Sequence, residues 1–375
     1  MKLNVSLPSG ELKLTIKHSD FDLNDLCGFA CRQNPKRGFL FVSKVLGKHY
    51  PVKPSIMKKT YDILADKVNL HTIGEDPILF LGFAETATGL SAGIYESWKV
   101  MNKSPSLYSH TTRYQFNKNI LFRFQEEHSH ATGHIVYEPE NNFKLNKYKT
   151  LVLIDDEMTT GKTSMNFIEQ FMELSSCAIE KIVVVCIKNW MSDEAKKKFK
   201  EKLNCKVEFV SLLEGNYEFI KDESYVCLPM PNVEATCEDK GLIIDKNFGR
   251  FGFEDVPNYN YEPVLNKIKG KKILVLGTGE FSYLPYKLAK YIEDKGFDVY
   301  FQSTTRSPIL LGEIIKHKLE FIDNYNDNIA NFVYNVNKDD YDQILICYET
   351  NKIFNFNLDV TLMAENIFFK DLELI

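Results

Sequence analysis

The chain has 375 residues, 44% of them hydrophobic and 26% charged, which suits a globular protein of two domains, each large enough for its own core. A formal net charge of -5 and a sequence pI near 6.0 disfavour nucleic acid and anionic membranes as partners. No segment reaches the ~20 apolar residues of a membrane span, and the eight cysteines form no C-x-x-C pair, so reduced thiols in a cytoplasm are expected.

The N-terminal MKLNVSLPSGELKLTIKHSD alternates apolar and polar residues around a Pro-Ser-Gly turn. This predicts a β-hairpin and lacks the apolar run of a signal peptide. From Asp22 to Leu46, apolar side chains at helical spacing predict helical structure before a Pro-marked loop. Arg32, Lys36, Arg37, Lys44 and Lys48 read as its solvated face, with Arg32 and Arg37 as candidate anion contacts. PILFLGFAETATGLSAGIYESW predicts a buried strand over Ile78–Leu81, a loop of small residues, and a helix opening near Gly89. SLYSHTTRYQF and HATGHIVYEP predict strands around a loop rich in His and Glu. TLVLIDD predicts a strand and SMNFIEQFMELSS a helix, and KIVVVCIKNW, KVEFVSLLEG and YVCLPM continue the alternation. A parallel sheet with helices on its faces, an α/β fold, accounts for this pattern.

Regularity lapses after about Pro231, where Gly, Asn, Asp and Pro are frequent. This predicts a domain over residues 1–235, a linker over 236–269 and a smaller α/β domain over 270–375. In the last of these, KKILVLGTGEFSYLPYKLAKYIEDKGFDVYFQSTTRSP predicts strand, Gly turn, amphipathic helix and strand, and YDQILICYET a later strand.

The stretch TLVLIDDEMTTGKT carries the sharpest chemical signal. A triphosphate P-loop needs a glycine where Asp156 stands, and a carboxylate there meets the phosphates as a like charge. The alternative is a loop that binds one phosphate through the backbone N–H groups of Thr160 to Thr163 at a helix N-terminus, with the Thr159 and Thr163 hydroxyls as further donors. Acids at the end of the preceding strand are then placed to accept hydrogen bonds from two neighbouring hydroxyls, such as those of a ribose.

LVLIDDEMTTGKT resembles the signature of the type I phosphoribosyltransferases. GFAETATGLSAG, TTRYQF, FQEEHSHATGHIVYEP and STTRSP extend the resemblance to phosphoribosyltransferases found beside tellurium-resistance genes, which carry an appended domain named for its Thr-Arg-Ser-Pro motif. The resemblance implies a type I phosphoribosyltransferase-like parallel sheet with a hood, partly built from the basic stretch Arg32 to Lys48, followed by a Rossmann-like C-terminal domain. It implies that Asp155 and Asp156 hold the ribose hydroxyls of phosphoribosyl pyrophosphate. Thr159, Thr160, Gly161, Lys162 and Thr163 would hold its 5-phosphate. Glu157 departs from the family, which more often has an apolar residue there, and Thr159 matches orotate-type rather than purine-salvage members.

Ala84, Glu85, Thr86, Ala87 and Thr88 are the candidate pyrophosphate loop, with Glu85 unexplained beside an anion. Arg113 is a candidate guanidinium for the departing pyrophosphate. EEHSHATGH concentrates His128, His130 and His134 beside Glu126 and Glu127. A zinc site is one reading of this cluster; a lid over the substrate, with Glu127, His128 and His130 as catalytic candidates, is the other. The expected cofactor is Mg2+ held near Asp155 and Asp156 by substrate oxygens, with no site built from protein ligands alone. The expected partners are phosphoribosyl pyrophosphate and an unknown acceptor base, and a homodimer is kept open as the assembly.

In the second domain Gly277 and Gly279 form a G-x-G turn without the third glycine or the later acid of a dinucleotide site. With Thr304, Thr305, Arg306 and Ser307 they are candidates for a separate anion site. Two other functions stand beside the transferase: a non-catalytic regulator that binds phosphoribosyl pyrophosphate or a nucleotide, and an NTP hydrolase using Gly161 to Thr163.

Overall fold

The computed structural model describes residues 1–34, 37–74, 77–124, 133–140, 143–175, 177–227, 229, 231 and 238–375. A hairpin of β1 (Lys2–Leu7) and β2 (Gly10–Ser19) opens the chain, turning at Pro8 and Ser9 as its alternation predicts. After the single turn α1 (Leu23–Leu26) comes a second antiparallel hairpin, β3 (Cys27–Cys31) and β4 (Phe39–Ser43). The helix predicted over Asp22–Leu46 is therefore corrected to one turn and a hairpin. Asn34 precedes a proline, which biases it away from helix, and Phe39, Phe41 and Val42 suit a half-buried strand. Phe41 stacks on Trp190 with ring centroids 4.5 Å apart.

The chain continues through α2 (Pro54–Thr72), β5 (Ile78–Gly82), α3 (Thr88–Met101), β6 (Ser106–His110), β7 (Ile120–Phe124), β8 (His134–Tyr137), β9 (Thr150–Ile154), β10 (Glu157–Met158), α4 (Lys162–Leu174), β11 (Lys181–Asn189), α5 (Asp193–Glu201) and β12 (Lys206–Lys221). The strand predicted at YVCLPM does not form among its described residues 225–227 and 229; β12 runs long instead. Long β12 pairs with β11 on one side and β2 on the other, leaving the following Asp and Ser residues to turn the chain.

The large sheet has the order β1-β2-β12-β11-β9-β5-β6, with β10 also on β11. From β12 to β6 its strands are parallel, and β2 and β1 are antiparallel at one edge. β5 and β9 are buried along their whole length because helices cover both faces. Alternation along β9 divides the core. Val152 and Ile154 join Leu64, Ala65, Ile94 and Trp98 of α2 and α3, whereas Leu151 and Leu153 join Phe167, Ile168 and Phe171 of α4. Gly93 lets α2 and α3 approach: a Cβ there would stand 2.3 Å from the Tyr61 ring.

The second region adds α6 (Glu262–Leu265), β13 (Lys272–Gly277), α7 (Tyr283–Asp294), β14 (Asp298–Ser303), β15 (Lys318–Ile322), β16 (Ala330–Tyr334), β17 (Gln343–Tyr348), α8 (Leu358–Leu362) and β18 (Glu365–Phe368). Its parallel sheet runs β14-β13-β17-β18, and β15 and β16 form a separate hairpin. One hydrophobic cluster passes from Leu64, Trp98 and Val152 through Leu288 and Ile292 of α7 to Val275 and Phe301 of the smaller sheet. Residues 238–269, expected as a linker, pack between the two sheets. Phe253 bridges to Tyr108 at the edge of β6, and Arg250 is only 2% exposed. Among the described residues no helix is long and apolar enough to cross a membrane.

Candidate active site

From β5 the chain steps to β6 on one side, and β9 opens the run to β11 and β12 on the other. β5 and β9 are neighbours whose connections leave in opposite directions, and open parallel sheets form a binding crevice outside such strand ends. The Phe83 amide donates to the Ile154 carbonyl at 3.0 Å, joining the two loops that begin there.

The loop after β9 carries the acids. The Asp155 amide donates to Val185 O at 3.0 Å, and Asp155 Oδ1 accepts the Asp156 amide at 2.8 Å. β10 then pairs with β11, so Asp155, Asp156 and Glu157 stand half-buried between two paired segments. Glu157 has a clear role. Its Oε1 takes Arg37 Nη2 at 2.5 Å and its Oε2 faces Lys188 Nζ at 3.2 Å, while Lys188 Nζ also donates to Phe41 O at 2.8 Å. The carboxylate thereby ties the β3–β4 hairpin to the crevice floor. Burial opposes its charge, but Arg37 and Lys188 outweigh burial and hold the Glu157 carboxyl below the usual range. Asp156 is moved the other way: burial pushes its carboxyl up and Glu157 adds to the rise, against the pull of Lys188 and Arg37.

Gly161 starts α4 at φ 75°, where its Cβ would also stand 2.9 Å from Met191 Cε. Both facts call for glycine. The N-cap Gly161 supplies no side-chain cap, and although the Lys162 amide donates to Thr160 Oγ1 at 3.4 Å, the first turn and the positive end of its dipole stand at the crevice. Thr160 and Lys162 are exposed and Thr159 and Thr163 half-buried. These positions suit an anion bound by backbone amides.

The loop after β5 is anchored on every side. Ala84 N donates to Thr111 Oγ1 at 2.9 Å, and that hydroxyl meets His134 Nδ1 at 2.7 Å. The Ala84–Glu85 peptide is cis. Glu85 pairs with Lys48 at 2.7 Å and lies 3.5 Å from Arg306 Nε. Thr88 Oγ1 donates to Glu280 O at 2.8 Å. Ala84, Glu85, Ala87 and Thr88 are buried and Thr86 is half-buried. Arg113 lies on the neighbouring loop after β6, and its amide donates to Glu280 Oε1 at 2.7 Å. Glu127, His128 and His130 lie outside the described residues; His134 falls on β8 and its ring stacks on Phe124.

The six residues read as a separate anion site make contacts among themselves and with the first region. Thr304 Oγ1 accepts the Gly279 amide at 2.9 Å, and Thr305 Oγ1 accepts the Ser307 amide at 3.2 Å. Gly277 approaches Phe281 so closely that a Cβ would lie 2.5 Å from its carbonyl oxygen. Arg306 reaches Glu85, which Lys48 links in turn to Gly279 O.

Sequence reasoning missed Lys48 and Arg250. Lys48, read as part of a solvated face, is 3% exposed and donates to Gly279 O at 2.8 Å. Arg250 makes two hydrogen bonds to each of Glu280 and Glu349. No local signal marks such contacts: Lys48 and Gly279 are 231 residues apart. Among the described residues no group of three or more His, Cys, Asp or Glu could hold a metal.

A comparison with curated protein sequences finds no match. Among solved structures the chain is similar to the adenine phosphoribosyl transferase of Trypanosoma brucei in complex with AMP, pyrophosphate and ribose-5-phosphate. The identity is 14%, the match covers 57% of this chain and 86% of that one, and the TM-score is 0.38. The adenine phosphoribosyltransferase of Leishmania donovani is 17% identical over 50% of this chain and 76% of its own, with a TM-score of 0.34. The hypoxanthine-guanine phosphoribosyl transferase of Leishmania donovani is 10% identical over 44% and 81%, with a TM-score of 0.30. The model of a phosphoribosyl transferase family matches residues 26–216, which include both loops of the crevice, and that of the TRSP domain C-terminal to this transferase domain matches residues 248–359. The acid pair, the uncapped helix and the small-residue loop at one break in strand order thus sit inside the matched segment, and the chain belongs to this phosphoribosyl transferase family, with a TRSP domain in the same polypeptide.

Proposed function

We propose that the protein transfers the phosphoribosyl group of phosphoribosyl pyrophosphate to a nitrogenous acceptor in a Mg2+-dependent reaction that releases pyrophosphate, a step toward a nucleotide-like compound. The observation that carries this reading is the meeting, beyond β5 and β9, of two half-buried aspartates, a helix N-terminus without a side-chain cap and a loop of small residues. Asp155 and Asp156 accept hydrogen bonds from the ribose hydroxyls, and the amides of Thr160 to Thr163, with the Thr159 hydroxyl, hold the 5-phosphate. The loop Ala84–Thr88 and Arg113 receive the pyrophosphate.

In the reaction the bond from C1 of the ribose to the pyrophosphate oxygen breaks, a bond from C1 to the acceptor nitrogen forms, and the nitrogen proton passes to a base. Glu127, His128 and His130 are proposed for that base and for exclusion of water, since a cationic sugar centre is otherwise hydrolysed. Fixed geometry and preorganised charge supply most of the rate. Asp155 and Asp156 fit Mg2+, which is usually held by one or two carboxylates with substrate oxygens and water. When bound, the ion neutralises charge on the leaving pyrophosphate. This reading keeps a transferase domain over residues 1–235, a linker over 236–269 and a second domain over 270–375, while the TRSP match itself begins at residue 248. The same reading places the protein in the cytoplasm, in the setting of tellurium resistance.

Incubation with phosphoribosyl pyrophosphate, Mg2+ and a metabolite extract, read by mass spectrometry, is expected to yield a ribose-phosphate adduct and free pyrophosphate. Asp156→Ala should abolish both. Adduct formation at an unchanged rate in that variant removes the assignment, and tight binding of phosphoribosyl pyrophosphate without turnover makes the protein a regulator instead.

A further inference from the structure

Glu85 sits in the loop assigned to pyrophosphate, where a carboxylate repels the ligand. Its neighbours resolve the conflict. Lys48 Nζ lies 2.7 Å from Oε1, Arg306 Nε 3.5 Å from Oε2, and the three side chains are 3%, 7% and 8% exposed for Lys48, Arg306 and Glu85. Two buried cations therefore share one carboxylate. The nearest second acid, Asp327, is 3.9 Å from Arg306 Nη2 and is ion-paired with Lys240 at 2.6 Å. The compensating negative charge lies at Arg250, where one guanidinium faces Glu280 and Glu349.

Hydrogen bonding in the cluster is incomplete on both sides, with Glu85 Oε1 and Asp327 Oδ2 making ion pairs but no well-directed hydrogen bond. Arg306 Nη1 is buried without a hydrogen-bond partner, although buried donors are nearly always satisfied in a purely structural setting. The antiparallel bridge between Thr305 and Phe332 sets Asn331 across from Arg306, and Asn331 Nδ2, on a side chain of a residue 4% exposed, also has no partner. The Tyr114 ring, 5.1 Å from the guanidinium carbon, holds the Arg306 plane. A diphosphate brings more charge and more acceptor oxygens than one carboxylate, so it competes well for such cations.

We propose that Arg306 of the second domain, with Lys48, is a ligand of the diphosphate group of the phosphoribosyl donor, and that Glu85 holds both cations in place until the diphosphate takes them over. The proposal rests on the assignment of Ala84–Thr88 to pyrophosphate. It makes the TRSP domain part of the transferase site, supplying a binding side chain across a domain boundary.

Calorimetric titration of the full chain in Mg2+ with pyrophosphate, and separately with ribose 5-phosphate, tests it. Arg306→Gln is expected to weaken pyrophosphate about ten-fold or more, the scale of a lost charge-assisted hydrogen bond, and to leave ribose 5-phosphate unchanged. Equal weakening of both ligands, or unchanged pyrophosphate affinity in the folded variant, overturns the proposal. Glu85→Gln removes the competing carboxylate, and it decides the matter if Arg306→Gln does not fold. Tighter pyrophosphate binding is expected, and unchanged or weaker binding overturns the role of Arg306. If the natural chain binds neither pyrophosphate, ribose 5-phosphate nor phosphoribosyl pyrophosphate, the transferase-site reading falls as well; if it binds them and Arg306→Gln matches it, only the present inference falls.

Discussion

The two parallel sheets break their strand order in the same way, at β5/β9 in the large sheet and at β13/β17 in the small one, yet the two strand-end regions are chemically opposite. At the first, Asp155 and Asp156 are half-buried, Thr160 and Lys162 are exposed, and α4 presents an uncapped first turn. At the second, Glu280 and Glu349 are 4% and 1% exposed and both are bound by Arg250, while Thr278 Oγ1 donates to Cys347 O and the Gly279 amide donates to Thr304. A shared topology offers a crevice, but a ligand can enter only where polar groups are left for it. In the small sheet those groups are bound within the second region, and through Glu280 to the Thr112 hydroxyl and Arg113 amide of the first.

Substitutions at the two places should separate ligand chemistry from assembly. The largest effect is expected from Arg250→Met, which leaves two buried carboxylates without their cation; loss of about 3–5 kcal/mol of stability is the scale for such a break. Denaturant unfolding checks it, and a loss near zero would mean that the Arg250 pairs to Glu280 and Glu349 carry no net energy. Asp156→Asn should do the reverse. Phosphoribosyl pyrophosphate binding is expected to fall by about ten- to a hundred-fold through lost charge-assisted hydrogen bonds. Stability should hold or rise, because burial already disfavours the Asp156 carboxylate in the folded chain. Calorimetry and thermal melts on one preparation read both quantities.

Gly161→Ala is expected to cost about 1–2 kcal/mol, the scale of a non-glycine residue forced into the left-handed region. It should also weaken ribose 5-phosphate while leaving pyrophosphate alone, since the distortion falls on one loop. The smallest expected effect is pH-dependent. Glu157 has a folded pKa below its ordinary value of 4.5, so its ion pairs stabilise the fold above that pH, and the contribution is lost as pH falls toward the lower folded value. The stability gap between the natural chain and Glu157→Gln should therefore shrink below pH 4.5. A gap that stays constant across this range would show that the pairs to Arg37 and Lys188 carry no net energy.

Much of the large sheet was legible in the residues themselves. ILFLG, TLVLI and KIVVVCIKN are apolar runs of strand length, and each became a buried parallel strand. The β3–β4 hairpin was missed because apolar spacing over so short a stretch fits helix and strand alike. The Asn-Pro pair and the aromatic Phe39 and Phe41 were the signal that separates them. The β15–β16 hairpin and β18 had no comparable run to announce them.

By itself the sequence determined the chemistry available at the first crevice: two acids, a glycine and hydroxyl-bearing residues in one short loop after an apolar strand. Those are local features, set by neighbours within a few residues, and local spacing reads them well. Tertiary structure alone decided what surrounds that loop. It buried Lys48, gave Glu157 two cations from distant segments, closed the Gly277–Gly279 turn on Thr304, and carried Arg306 from its own motif to Glu85. The physical reason is that charge pairing and desolvation depend on distance in space, and residues more than two hundred positions apart meet only after two sheets share a core.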